Sequence, residues 1–96
     1  MSYKSQIKTV EGDTKKKLML FTLSTCIWCR KTKTLLGELG VGYQYVDVDL
    51  LSQADQDEAY NEMGKYESDS FPTVIFNDGE KVIAGYEEEE IRGLCI

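Results

Sequence analysis

The segment Cys26-Ile27-Trp28-Cys29 stands where an apolar run, Leu18-Met19-Leu20-Phe21-Thr22-Leu23, gives way to residues with helical spacing. A strand-to-helix junction puts the first sulfur over helix N–H groups that have no partner inside the helix. Those groups and the helix dipole favour negative charge at that point. The second sulfur lies one turn further in. Such a pair suits thiol–disulfide exchange, in which a thiolate attacks a disulfide sulfur. The spacing alone is a weak signal, so the rest of the chain has to supply the context.

The chain has three cysteines and no histidine. Without histidine there is no Cys-His or Ser-His-Asp catalysis and no imidazole-ligated metal. An odd number of cysteines is not the framework of a stapled secreted domain; it fits a reducing compartment, with a working pair and one spare. The segment Met1–Gln6 lacks the apolar core of a secretory signal, and no apolar run approaches the roughly 20 residues that span a bilayer. A cytoplasmic protein without membrane association is therefore expected.

Ninety-six residues, 42% of them hydrophobic, suit a single small domain with one modest core. The net charge of −6 argues against a general nucleic-acid binder. Cations nevertheless bracket the cysteine motif: Lys15, Lys16 and Lys17 before it, Arg30, Lys31 and Lys33 after it. They are either a solvated surface or, for those after Cys29, a source of positive potential around a thiolate. Acids gather near Asp55–Glu62 and Glu87–Glu90.

Residues 1–14 are polar and form either a loose arm or a short extra strand pinned by Ile7 and Val10. The remainder, 15–96, reads as the folded domain. Lys17–Leu23 has the length and composition of a buried strand. From Ile27 to Leu39, the residues Cys29, Thr32, Leu35, Leu36 and Leu39 share a helical face, with Arg30, Lys31 and Lys33 turned away. Gly40 is a plausible stop. Tyr43–Val48 alternates like a strand, and Ser52 with Asp55 resembles a cap for a second helix to about Tyr66, with Ala59, Met63 and Tyr66 inward. Phe71-Pro72-Thr73 leads into the strand Val74-Ile75-Phe76. Asn77-Asp78-Gly79 marks a hairpin turn before the strand Lys81–Ala84. Gly85 ends that strand, and a last helix opens on Glu87–Glu90, where acids suit the dipole. The order β-α-β-α-β-β-α implies an α/β fold, with four strands in one mixed sheet flanked by helices.

That order, together with Cys26-Ile27-Trp28-Cys29, Phe71-Pro72-Thr73 and Gly85-Tyr86, resembles the thioredoxin fold, and in length and minimal set of elements a glutaredoxin or glutaredoxin-like redoxin. The resemblance covers about Lys16 to Leu94. It implies a cis peptide bond before Pro72, which would pack on the active disulfide. It also implies a backbone at Phe71 that pairs with an extended substrate or glutathione. Cys26 is then the nucleophile and Cys29 the resolving thiol. The backbone N–H groups of Trp28 and Cys29 activate Cys26, with Arg30 and Lys31 helping through space. Ile27, Trp28, Phe71, Pro72, Thr73, Gly85 and Tyr86 form the substrate-binding rim. The expected function is reduction of protein or mixed disulfides by a monomer with no tightly bound cofactor. Electrons would come from glutathione or from a flavin reductase of the thioredoxin-reductase kind.

Three departures from the family pattern bear on the electron donor. Ile27-Trp28 stands where glutaredoxins usually have Pro-Tyr. Leu23 takes the place of a basic residue that meets a glutathione carboxylate. Gly85-Tyr86-Glu87 replaces a Gly-Gly kink. Each weakens the case for dedicated glutathione binding. The absence of proline after Cys26 keeps a second reading open, a glutathione-assisted [2Fe–2S] cluster shared by two subunits. One Cys-x-x-Cys supplies too few thiolates for a closed zinc site, and a non-catalytic binding module would not need both cysteines. Trp28 reads equally as a shield over the disulfide or as a contact for partner proteins. Tyr86 is either a lid on the same groove or a hairpin-end aromatic. Cys95, on one helical face with Ile91 and Leu94, is either a buried structural thiol or the site of a regulatory or intermolecular disulfide.

Overall fold

The computed structural model describes residues 2–95. Its elements are β1 (Lys8–Val10), β2 (Leu18–Thr22), α1 (Ile27–Glu38), β3 (Tyr43–Asp47), α2 (Gln53–Lys65), β4 (Thr73–Phe76), β5 (Lys81–Ala84) and α3 (Glu88–Cys95). The strands form one mixed sheet in the order β1-β3-β2-β4-β5. Strand β2 lies at its centre, parallel to β3 and antiparallel to β4, with Leu20 opposite both Tyr45 and Val74. The parallel β2–α1–β3 unit is the crossover that the periodicity implies.

Alternation along β2 divides the interior into two layers. Leu18 and Leu20 face Leu35 and Leu36 of α1, with Ile91 of α3 and Ile83 of β5 in the same cluster. Phe21 faces Ala59 and Met63 of α2 together with Val46, Val48 and Ile75. Successive strand residues point to opposite faces, so a five-residue apolar strand serves both cores. The result is helices α1 and α3 on one face and α2 on the other.

The sheet has five strands where four were expected. The polar start of the chain supplies the fifth: β1 pairs antiparallel with β3, Thr9 opposite Gln44. Three residues, two of them exposed, are too short a run for alternation to be legible. A 3₁₀ turn over Tyr3–Gln6 precedes it. Tyr3 is buried 5.8 Å from the Phe21 ring, and its N–H donates to Glu58 Oε1 of α2 at 2.8 Å. Residues 1–14 are thus not a loose arm over their described part.

Most local signals correspond to observed caps and turns. The Ser52 hydroxyl accepts the Asp55 N–H at 3.3 Å and opens α2. Tyr66 caps that helix and is half-buried, beyond the inner pair Ala59 and Met63. The hairpin turn Asn77–Gly79 is a 3₁₀ turn with positive φ at all three residues, 51°, 59° and 114°. A Cβ on Gly79 would lie 2.7 Å from the Tyr66 ring, so both backbone and space call for glycine there. One assignment fails: Lys33 is not on the solvent face of α1 but half-buried against β3. No helix among the described residues is long and apolar enough to cross a membrane.

Candidate active site

The site lies beyond the C-terminal ends of β2 and β3, where the chain turns into α1. Cys26 is the N-cap of α1: its φ of −86° and ψ of 119° are extended, and its sulfur accepts the Cys29 N–H at 3.3 Å. The Cys26 N–H is itself spent on the Leu23 carbonyl at 3.2 Å. The loop before it is tied to the body of the fold by Asp49, which accepts both the N–H (2.8 Å) and the hydroxyl of Ser24. Burial works against the Asp49 charge, but the Ser24 hydroxyl and N–H outweigh it, and the carboxyl is held below its ordinary value.

The two cysteines sit in contrasting surroundings. Cys26 is half-buried, while Cys29 is only 1% exposed. Burial, then hydrogen bonding with Cys26, pushes the Cys29 thiol up to about 12 from 9.0, with the Leu23 backbone and Lys33 pulling the other way. The unfolded chain would release this proton near 9.0 and the folded chain only near 12, so the folded state is favoured while the thiol is protonated. Tyr3 behaves alike, raised by burial and by Glu62 and Glu58 from 10.0 to about 12. Stability is therefore expected to fall as the pH rises from about 9 toward 12. Urea midpoints of the reduced protein across this range would show it, with a shallower decline in Cys29→Ala.

The three motifs converge on this junction. The Phe71–Pro72 peptide is cis, and the Phe71 carbonyl accepts from the Cys26 thiol at 3.9 Å. Pro72 is buried, and its carbonyl accepts the Gly85 N–H at 2.7 Å, which joins the start of β4 to the turn after β5. Gly85 makes that turn at φ 91°. Tyr86 then stacks on Trp28 with ring centres 5.7 Å apart. Lys31 lies 4.7 Å above the Trp28 ring, and the Tyr86 hydroxyl donates to Glu88, which is paired to Arg92 at 2.9 Å. Trp28 and Ile27 keep half or more of their surface exposed, at 50% and 58%. Thr73 differs from the rest. It is fully buried, with its hydroxyl bonded to Ser68 and Ser70, so its side chain holds the loop together and does not line the rim.

Arg30 lies exposed on α1, next to Lys31 over Trp28. The residue pattern alone does not single out Ser24, Asp47, Asp49 or the inward turn of Lys33. The position of Lys33, one turn after Cys29, was visible in the spacing, but a lysine reads by default as solvated. Cys95 is half-buried against the α1–α3 core, and burial holds its thiol above the ordinary value. Among the described residues no cluster of three or more Cys, Asp or Glu is arranged to hold a metal ion.

A central mixed sheet, a cysteine pair opening the first helix and a cis-proline facing it together define a thioredoxin-fold dithiol protein. The glutaredoxin family model matches residues 18–82. The methanoredoxin of Methanosarcina acetivorans is 45% identical over 80% of this chain and 81% of its own, with a TM-score of 0.72. The glutaredoxin of Methanosarcina mazei Go1 is 41% identical over 94% and 87%, with a TM-score of 0.77. The glutaredoxin-like NrdH-redoxin of Escherichia coli, 22% identical over 81% and 93% with a TM-score of 0.66, shares the fold. No curated protein sequence matches. The chain belongs to the glutaredoxin family.

Proposed function

We propose that this protein reduces protein or mixed disulfides by dithiol exchange through Cys26 and Cys29. The observation that carries the reading is the asymmetry of the pair. The Cys26 sulfur sits at the helix N-terminus, accepts an N–H and is reachable, whereas Cys29 is sealed one turn inside as a protonated thiol. The accessible sulfur attacks a substrate disulfide; one substrate sulfur stays on Cys26 and the other leaves with the electron pair. Cys29 then loses its proton and attacks Cys26, forming the internal disulfide and releasing the second substrate thiol. With Cys26 committed to the mixed disulfide, its hydrogen bond no longer raises Cys29, and the resolving thiol ionises more readily than in the resting dithiol.

The exposed faces of Ile27 and Trp28 offer apolar contact to a protein substrate. The Phe71 backbone, beside the sulfur, offers a strand edge to an extended segment. Electrons return from glutathione or from a flavin reductase, and two features favour the reductase. Leu23 is packed partly into the α2-side core and brings no charge to meet a carboxylate. Tyr86 stacks on Trp28, and the exposed Glu87–Glu90 that follow it repel an anionic tripeptide.

The test is a protein-disulfide reduction assay run in two cells. One contains glutathione, glutathione reductase and NADPH; the other contains NADPH with a thioredoxin reductase. Cys26→Ser serves as the control in both. Turnover in the second cell well above the first is expected, and equal or greater turnover with glutathione would reverse the assignment of donor. Turnover that persists in Cys26→Ser would overturn the mechanism itself.

A further inference from the structure

Lys33 follows Cys29 by four residues on α1, and residues four apart on a helix stand one above the other, about 5–6 Å between Cβ atoms. Its ammonium does not extend into solvent. It lies 3.9 Å from the centre of the Tyr45 ring and 3.5 Å from Asp47 Oδ1, with side-chain exposures of 25% for Lys33 and 14% for Asp47. The buried Thr22 hydroxyl donates to the same Asp47 oxygen at 2.7 Å. The charge is thereby fixed to the ends of β2 and β3, beside the cysteine loop.

A half-buried ion pair of this kind is weak as a device for stability, because desolvation offsets most of its attraction. Methionine would cover Tyr45 as well. What an apolar side chain would not supply is positive charge one helical turn below a buried thiol, where the low dielectric lengthens its reach. We infer that Lys33, anchored by Asp47, is a positioning residue that stabilises the Cys29 thiolate in the resolving step. The inference rests on the dithiol reading above and adds a residue to it. The ionisable groups facing Lys33 are Cys29 on its own helix, Tyr45 and Asp47 on β3, and Asp49 in the following turn.

In the step concerned, Cys29 gives its proton to water and its thiolate attacks Cys26. The Cys26–Cys29 bond forms, the bond from Cys26 to the substrate sulfur breaks, and the electron pair leaves on that sulfur, which takes up a proton. The Lys33 charge lowers the cost of the first event and takes no part in the bonds.

A chromogenic dipyridyl disulfide reads the two steps apart by stopped flow in a Cys95→Ser background. Attack by Cys26 releases a first equivalent of pyridinethione, and resolution by Cys29 releases a second. Lys33→Met is expected to leave the first phase unchanged and to slow the second about tenfold near pH 7, its pH midpoint moving up by about one unit. Lys33→Arg is expected to restore most of the rate. Asp47→Asn, which frees the cation while keeping an acceptor for Thr22, is expected to move the midpoint down. Opposite shifts in the two variants are not what simple loosening of the fold produces. A second phase of wild-type rate and midpoint in Lys33→Met would overturn the inference, as would shifts of the same sign in both variants. Absence of the second equivalent from the Cys95→Ser parent would instead overturn the dithiol reading.

Discussion

Cys29→Ser is expected to form a mixed disulfide and stop there, and Cys26→Ser to form none through the remaining member of the pair. The reason is geometric. Cys26 alone combines exposure with the N–H of Cys29 aimed at its sulfur, so without it the remaining pair member lies 99% covered and protonated. Cys29→Ser keeps the attacking sulfur, and serine is close in size and still donates a hydrogen bond. The first half-reaction is therefore retained. The second is lost because an intramolecular thiol one turn away acts at an effective concentration that no millimolar external thiol matches. Well-oriented intramolecular groups reach roughly 10⁵ M or more. Turnover on a protein disulfide should fall by about a hundredfold or more even if resolution depends on the looser end of that range. Mass spectrometry of Cys29→Ser mixed with a disulfide substrate would show one adduct, on Cys26. Full turnover by Cys29→Ser with glutathione present would mean that the second cysteine is dispensable and that exchange runs through a single thiol. An adduct on Cys95 in place of Cys26 would remove the assignment of the nucleophile.

The parts of this molecule that rest on local patterns were legible in the sequence. Alternation and spacing marked β2, α1 and α2 to within a residue or two, because a buried strand and an amphipathic helix impose their periods on the chain. The three motifs Cys26-Ile27-Trp28-Cys29, Phe71-Pro72-Thr73 and Gly85-Tyr86 stand out in the sequence, and the fold brings them to one junction. Two kinds of feature were not legible. Strand β1 is three residues at an edge, held by pairing with β3 and by the anchoring of Tyr3 beneath α2 through Glu58, and both are contacts across long stretches of chain. The direction of a long side chain was the other. Residue type and spacing make Lys33 a solvated cation, and the family resemblance puts Thr73 at the substrate rim. Tertiary partners reverse both: Asp47 and Tyr45 draw Lys33 inward, and Ser68 and Ser70 take up the Thr73 hydroxyl. A helical lysine carries an apolar stem long enough to lie along a neighbouring strand, so its position on a wheel does not fix where its charge ends.

Leu36→Ala is expected to cost about 2–5 kcal/mol of stability, the range for removing a leucine side chain from a closed core. Leu36 is fully buried and lies in one cluster with Leu18, Leu20, Val74 and Ile91, so the gap has walls on strands and on α3 that do not collapse together. For a domain of this size the total stability is roughly 5–15 kcal/mol, and the loss corresponds to a fall in Tm of about 10 °C or more. The site depends on the same packing. Cys29, Thr32, Leu35 and Leu36 form one buried stripe, and that stripe seats α1 so that its first turn meets the Phe71 carbonyl. Ile27→Ala offers the contrast on the same helix. Ile27 is 58% exposed, so its loss should change stability by no more than about 0.5 kcal/mol while removing apolar surface beside Cys26. Urea unfolding of the two variants, read alongside protein-disulfide reduction at a temperature where both are folded, separates the roles. Leu36→Ala should lower the midpoint sharply and Ile27→Ala should chiefly raise KM for a protein substrate. A Leu36→Ala loss below about 1 kcal/mol would mean that α1 is not held by this face, and the placement of both cysteines would then need another cause.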